Sequence, residues 1–460
     1  MTGATQAGGR VPRPDSLPPR PYRFPRFERR RLDNGGKLVI APARKLPLAT
    51  VCIVAEAGAV TEPAGREGIA QLVGDLLLEG SAGYSGAEIA ERFERLGAVV
   101  EIETQWDVSV ICVSALRQHL ESAVQFLGEV VRAPSFPERE VERLKSERRA
   151  ELMRQHTEPR GLADDMFSRV VYTAASRYSR PIGGTEKSVT SISGQDVQRF
   201  FDDRYRAGGL TIVIAGDVDV DDGDRMTRSA FGGWPAGAPV IATTNDTPAR
   251  DGRGLHIVPK ADAQQAELRI GHVGVPRNHP DYYSIVIMNA VLGGLFSSRI
   301  NLNLRERHGY TYGAFSGFDW RRQCGPFSVS TAVQTEVTAR AAKEVIAEID
   351  RIREAEVSAA ELSLATSYLD GVFPIRYETT ESIADALVTL NTFGLPDNFH
   401  DVYRERIRAV TTHDVLRAAR EYLTPDALQV LMVGDAGPLR AQLEELAFAP
   451  VTLHNPKDES

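Results

Sequence analysis

Hydrophobic positions along this chain alternate between two periods. LATVCIVAEAG at 48–58 and DVSVICVSAL at 107–116 read as strands. TIVIAGD at 211–217 and QVLMVGD at 429–435 are short β-branched runs that read as buried strands. Between them, SGAEIAERFERLG at 85–97 spaces its apolar residues at helical intervals and ends on Gly97, which can close a helix in a left-handed conformation. Residues 138–156 and 358–371 predict long charged helices. Strands and helices mixed in this way predict an α+β protein, with helices layered on one face of a mixed sheet.

The pattern occurs twice. TSISGQDVQRFFDDRYRAGGLTIVIAGDVD at 190–219 aligns with RAVTTHDVLRAAREYLTPDALQVLMVGDAG at 408–437: Asp196-Val197 matches Asp414-Val415, and Gly216-Asp217 matches Gly434-Asp435. A second echo sets FPEREV, starting at Phe136, against VSAAEL, starting at Val357. Ser193 and Thr412 stand where helix caps are expected in the two copies. Duplication predicts two homologous halves, 29–231 and 255–448. The Gly-, Pro-, Thr- and Asp-rich stretch 232–254 is the expected linker. Residues 1–28, rich in Pro and Arg, predict an extended arm that Phe24 and Phe27 can anchor, and 449–460 a tail.

Composition narrows the chemistry. Length alone, 460 residues, allows two to four domains, and the repeat makes it two. A net charge of −8 argues against nucleic acid as the main partner. No stretch approaches the ~18 uninterrupted apolar residues of a membrane helix, and the first thirty residues lack the apolar core of a signal peptide. A cytoplasmic protein is expected. Cys52, Cys112 and Cys324 are far apart and odd in number, which argues against a disulfide framework and a cysteine zinc knuckle. The closest of the nine histidines are His272 and His279, so neither H-E-x-x-H nor H-x-x-E-H occurs.

Residues 30–98 place Leu32-Asp33-Asn34-Gly35, a strand, the Gly58 turn, the Gly68 helix start, Glu79-Gly80-Ser81 and the Ser85 helix start in an order that resembles the N-terminal half of M16 peptidases. This is the family of pitrilysin, insulin-degrading enzyme and the mitochondrial processing peptidase. NAVLGGLFSSRINLNLRERHGYTYG at 289–313 resembles its second-half signature, a Gly-rich turn followed by L-R-E-x-x-G-x-x-Y. The resemblance runs on to about residue 435 and implies the family's two-domain metallohydrolase fold.

It also implies a loss. In active members the helix after Gly68 carries H-x-x-E-H, two imidazoles that ligate zinc and a Glu that polarises water, completed by a distant Glu. Here the first His position is Gln71, the general-base position Gly74 and the second His position Asp75, with the distal Glu at Glu151. Two carboxylates without imidazole make a poor zinc site, and no base remains. Glu151 also reads as a partner for Arg148 or Arg154. No cofactor is expected in this chain.

For the second half, the resemblance implies that the family's substrate contacts are kept. The resemblance assigns Arg305 and Tyr312 to substrate binding and oxyanion assistance, and the Gly-rich loop residues Gly293, Gly294, Phe296, Ser297, Ser298 and Arg299 to substrate binding. A guanidinium and a phenol supply several N–H and O–H donors to a carbonyl that gains charge. Some relatives work as two chains, one with the zinc motif and one with the Arg/Tyr pair. The implied function is therefore the zinc-less subunit of a heterodimeric metallopeptidase. Its partners would be a homologous chain bearing H-x-x-E-H, which supplies the zinc, and an extended peptide. The alternatives are a noncatalytic scaffold subunit of a larger assembly and a homodimeric peptide-binding clamp.

Overall fold

Two six-stranded sheets organise the chain. In the first, the strands are β1 Glu28–Arg31, β2 Lys37–Pro42, β3 Leu48–Ala55, β4 Val99–Thr104, β5 Ser109–Leu116 and β6 Leu210–Gly216. Their spatial order is β1-β2-β6-β3-β5-β4. In the second, they are β7 Gly254–Pro259, β8 Gln265–Val273, β9 Ala314–Phe318, β10 Pro326–Gln334, β11 Gln429–Gly434 and β12 Val451–Leu453, ordered β12-β7-β11-β8-β10-β9. This computed structural model describes residues 21–455 except 82, 239–241, 244, 245, 250, 262 and 447. The first twenty residues of the expected arm, residues 456–460 of the expected tail and part of the expected linker lie outside the described residues.

The two sheets repeat one topology in five strands and differ at one edge, where β1 pairs antiparallel with β2 but β12 pairs parallel with β7. β2 pairs parallel with β6 as β7 does with β11, while β3 and β8 pair antiparallel with both neighbours. β6 and β11 are buried along their whole length, as their unbroken apolar runs predict. Ser193 caps its helix with a reciprocal box to Asp196. In the second copy the cap is Thr411, boxed with Asp414, and Thr412 is the first helical residue. The shift from the expected Thr412 follows from spacing: only Thr411 stands three residues before the Asp that completes the box.

Each half covers one sheet face with its own helices. The opposite face receives a helix from the other half. α1 Ile69–Leu76, α2 Glu138–Thr157 and α3 Pro159–Val171 belong to the first half, but α3 packs Leu162, Met166, Phe167 and Val170 against Val258, Leu431 and Val433 of the second sheet. Reciprocally, α4 Thr380–Thr392 lays Ile383, Leu387 and Val388 on Val39, Val54, Val213 and Ala215 of the first sheet. Phe24 joins this layer and stacks on His400 at 4.4 Å. Arg322, from the second half, forks onto Glu56 at 2.5 and 2.8 Å.

Cys52 and Cys112 face each other across the β3–β5 ladder and form a disulfide. This corrects the expectation drawn from their separation: sixty residues apart in sequence, they are direct cross-strand neighbours. Cys324 is a free thiol.

Candidate functional site

α1 begins at Gly68, whose φ of 96° lies in the left-handed region. A Cβ there would come within 2.6 Å of the Gly183 carbonyl oxygen, so glycine permits the approach. Glu62 accepts the Gly68 and Ala70 N–H groups at 3.0 Å each, and its buried side chain is paired with Arg177 at 2.6 Å. The buried face of α1, Ile69, Leu72, Val73 and Leu76, fixes the helix rotation. Gln71 and Asp75 therefore fall together on the opposite face.

This arrangement does not fit a zinc ion. Gly74 is buried against β4, where an added Cβ would lie 2.9 Å from Thr104 Oγ1. The general-base position is thus closed as well as empty of side chain. Solvent reaches Asp75, yet protein surrounds it closely enough that desolvation pushes its pKa up to about 6, against the pull of the Arg148 guanidinium. Arg148 interacts electrostatically with both Asp75 and Glu151 and donates from Nε to the Gly183 carbonyl at 3.1 Å. Glu151 is engaged by Arg154 at 2.7 and 3.0 Å and by Gln155 at 3.0 Å, which hold its carboxyl below the usual carboxylate range. The Arg148 guanidinium thus acts electrostatically on both carboxylates, and no ion pair joins it to either among the described residues.

The second-half motif is built on an interrupted helix. Tyr282–Asn289 is α-helical, Ala290–Gly294 widens to a π turn, and Leu302–Arg307 is again π-helical. Such widened turns recur at functional sites. Among the described residues this stretch, Tyr282–Arg307, is the one long and apolar enough to cross a membrane by length and composition, and half of its residues are buried within the protein. Gly293 allows the first widened turn to touch β9: a Cβ would lie 2.4 Å from Ser316 Oγ and 2.8 Å from its backbone nitrogen. Gly294 is exposed, and a Cβ on it would meet Asn289 Nδ2 at 2.7 Å. Gly309, at φ 65°, closes the second widened run, donating to the Arg305 carbonyl at 3.1 Å.

The side chains of the motif divide into two sets. Arg305 lies 4.5 Å from the Phe296 ring centroid and 3.4 Å from Glu306. Tyr312 is 92% exposed, and Phe296 and Phe315 are exposed beside the same turn. Arg299, in contrast, forks onto Glu361 at 2.6 and 3.0 Å and ties the loop to the following helical layer. Ser297 is exposed, while Ser298 is buried as the cap residue of the short helix Arg299–Asn301. Among the described residues, no hydrogen bond or ion pair joins Arg305 or Tyr312 to Gln71, Asp75 or Glu151.

Sequence reading passed over three asparagines that hold this motif. Asn289 accepts from Ser316 Oγ at 2.7 Å and donates to its carbonyl at 3.1 Å. Asn301 donates to the Phe296 carbonyl at 2.6 Å and accepts the Ala314 N–H at 3.0 Å. Asn303 donates to Glu348 at 2.6 Å and Glu344 at 3.0 Å. Their signal was present: polar amides set inside the apolar run NAVLGGLFSSRINLNL need buried partners.

Comparison with known proteins agrees with this geometry. The insulinase model of peptidase family M16 matches residues 38–186, and the M16 inactive-domain model matches residues 191–369. An uncharacterized zinc protease, YmxG of Bacillus subtilis, is 24% identical over 76% of this chain and 84% of its own length. A non-peptidase homolog, also YmxG, from Helicobacter pylori is 22% identical over 80% of this chain and 85% of its own. The crystal structure of a peptidase M16 inactive domain from Pseudomonas fluorescens superposes with a TM-score of 0.84 at 26% identity, covering 89% of this chain and 98% of that one. M16 models thus match both parts of the chain, which belongs to peptidase family M16.

Proposed function

We propose that this chain is the zinc-less, Arg/Tyr-bearing subunit of a two-chain M16 peptidase. The observation that carries the reading is an asymmetry between its halves. The helix after Gly68 carries Gln71, Gly74 and Asp75 in place of a zinc motif, with Arg148 acting electrostatically on Asp75, whereas the second-half motif presents a partly exposed Arg305 and an exposed Tyr312. A phenol that is 92% exposed, beside exposed Phe296 and Phe315, suits contact with a second molecule. The partner is a homologous chain with H-x-x-E-H, which supplies the zinc and the general base. This chain's guanidinium and phenol donate hydrogen bonds to the carbonyl oxygen of a bound peptide as charge develops there. β4 and β9 are open sheet edges on which an extended peptide can add a strand.

The test is reconstitution with that partner. Alone, the chain cleaves no peptide. With it, Arg305→Ala and Tyr312→Phe each lower kcat about 10²–10³-fold, the effect of removing one oxyanion donor. Unchanged turnover in both variants would reject the assigned roles and favour a scaffold, and peptide binding without any active partner would favour a homodimeric clamp.

A further inference from the structure

Five arginines of the described residues are buried: Arg177, Arg269, Arg277, Arg321 and Arg404. Four have carboxylate partners: Arg177 pairs with Glu62, Arg269 with Asp164 and Glu267, Arg321 with Asp319, and Arg404 with Asp370. Arg277 has none. It is 6% exposed, and its Nη1 is without any hydrogen-bond partner. Its guanidinium carbon lies 3.8 Å from the Tyr282 ring centroid and 4.9 Å from that of Phe399. Aromatic faces offset part of the cost of a buried cation, but they supply no acceptor for its N–H groups.

Arg277 forms one wall of a cavity of about 330 Å³ between the loop after β8 and the helix Phe399–Ala409. Arg406 enters from that helix, and it too makes no ion pair among the described residues. His279 and Asn398 contribute further polar groups, and no acidic residue lines the cavity. His279 accepts the Asp281 N–H on Nδ1 at 3.2 Å, which leaves its Nε2 to carry the ring proton as a donor. Tyr282 and Phe399 make the remaining wall largely aromatic.

We propose that this cavity binds a small organic oxyanion, a carboxylate or phosphate carried on an apolar or aromatic body. The anionic head meets Arg277 and Arg406, and the body lies against the aromatic wall. The volume is at the small end of ligand sites, matched to a single-ring compound. The inference stands apart from the roles of Arg305 and Tyr312, because none of the residues it uses belongs to that motif.

The test is calorimetric titration of the full chain with phenylacetate, phenyl phosphate, inorganic phosphate and phenethylamine. At least one organic anion binds with one-to-one stoichiometry, at least about tenfold tighter than inorganic phosphate, and the amine does not bind. Which of the two organic anions binds tighter identifies the head group. Arg406→Gln, at an exposed position, weakens binding about tenfold or more, the effect of one lost charge-assisted contact. Arg277→Met abolishes it. The proposal is overturned if neither organic anion saturates, if inorganic phosphate binds as tightly, or if Arg406→Gln leaves affinity unchanged.

Discussion

At the scale of single residues, the helix after Gly68 carries Gln71, Gly74 and Asp75 where the resemblance places a metal motif. Gln71, Gly74 and Asp75 were identifiable from the helix spacing after Gly68. The contact of Gly74 with Thr104, and the electrostatic pull of Arg148 on Asp75, depend on elements distant in sequence. Restoring the motif as Gln71→His/Gly74→Glu/Asp75→His is therefore expected to yield far less than one zinc per chain by elemental analysis, because the new side chain at 74 meets Thr104 and because Arg154 and Gln155 already hold Glu151. Glu361 gives a prediction in pH. The Arg299 fork and the Ser358 cap lower its pKa to about 2. Its unfolded value is near 4.3, so the stabilisation is fully present above that pH and is lost as pH falls toward 2. Thermal unfolding of Glu361→Gln should converge on that of the wild type across this window. Cys52 and Cys112 report on compartment: alkylation after acid denaturation of the cells, which exposes the buried Cys52, finds both thiols labelled if the chain is cytoplasmic and a bonded pair if it is exported.

At the scale of elements, periodicity located most strands and helices, and errors arose where packing extended or shifted an end. The second charged helix was expected over 358–371 but spans Ala359–Arg376, with Pro374 inside it. Burial of Leu369 and Phe373 in the second core continues it past the expected stop. The exchanged helices were not legible at all. Nothing in the apolar stripe of α4 says that it covers the sheet of the other half. Leu387, fully buried in that contact, makes the exchange measurable. Leu387→Ala is expected to cost about 2–5 kcal/mol in denaturant unfolding.

At the scale of the molecule, α3 and α4 each complete the other half's sheet, so neither half holds its full core alone. Calorimetry should show one cooperative unfolding transition, and two resolved transitions would mean the halves are independent. The sequence by itself determined the two-half organisation, the α+β class and the absence of an H-x-x-E-H motif, because each depends on residue type at fixed local spacing. Only the tertiary structure decided that Cys52 meets Cys112, that Arg148 stands beside Asp75, that three asparagines brace the Arg305 turn and that Arg277 is buried without a counter-charge. Those facts join residues as far apart in sequence as Arg277 and Phe399, and burial and hydrogen-bond satisfaction are properties of surroundings that a local pattern does not contain.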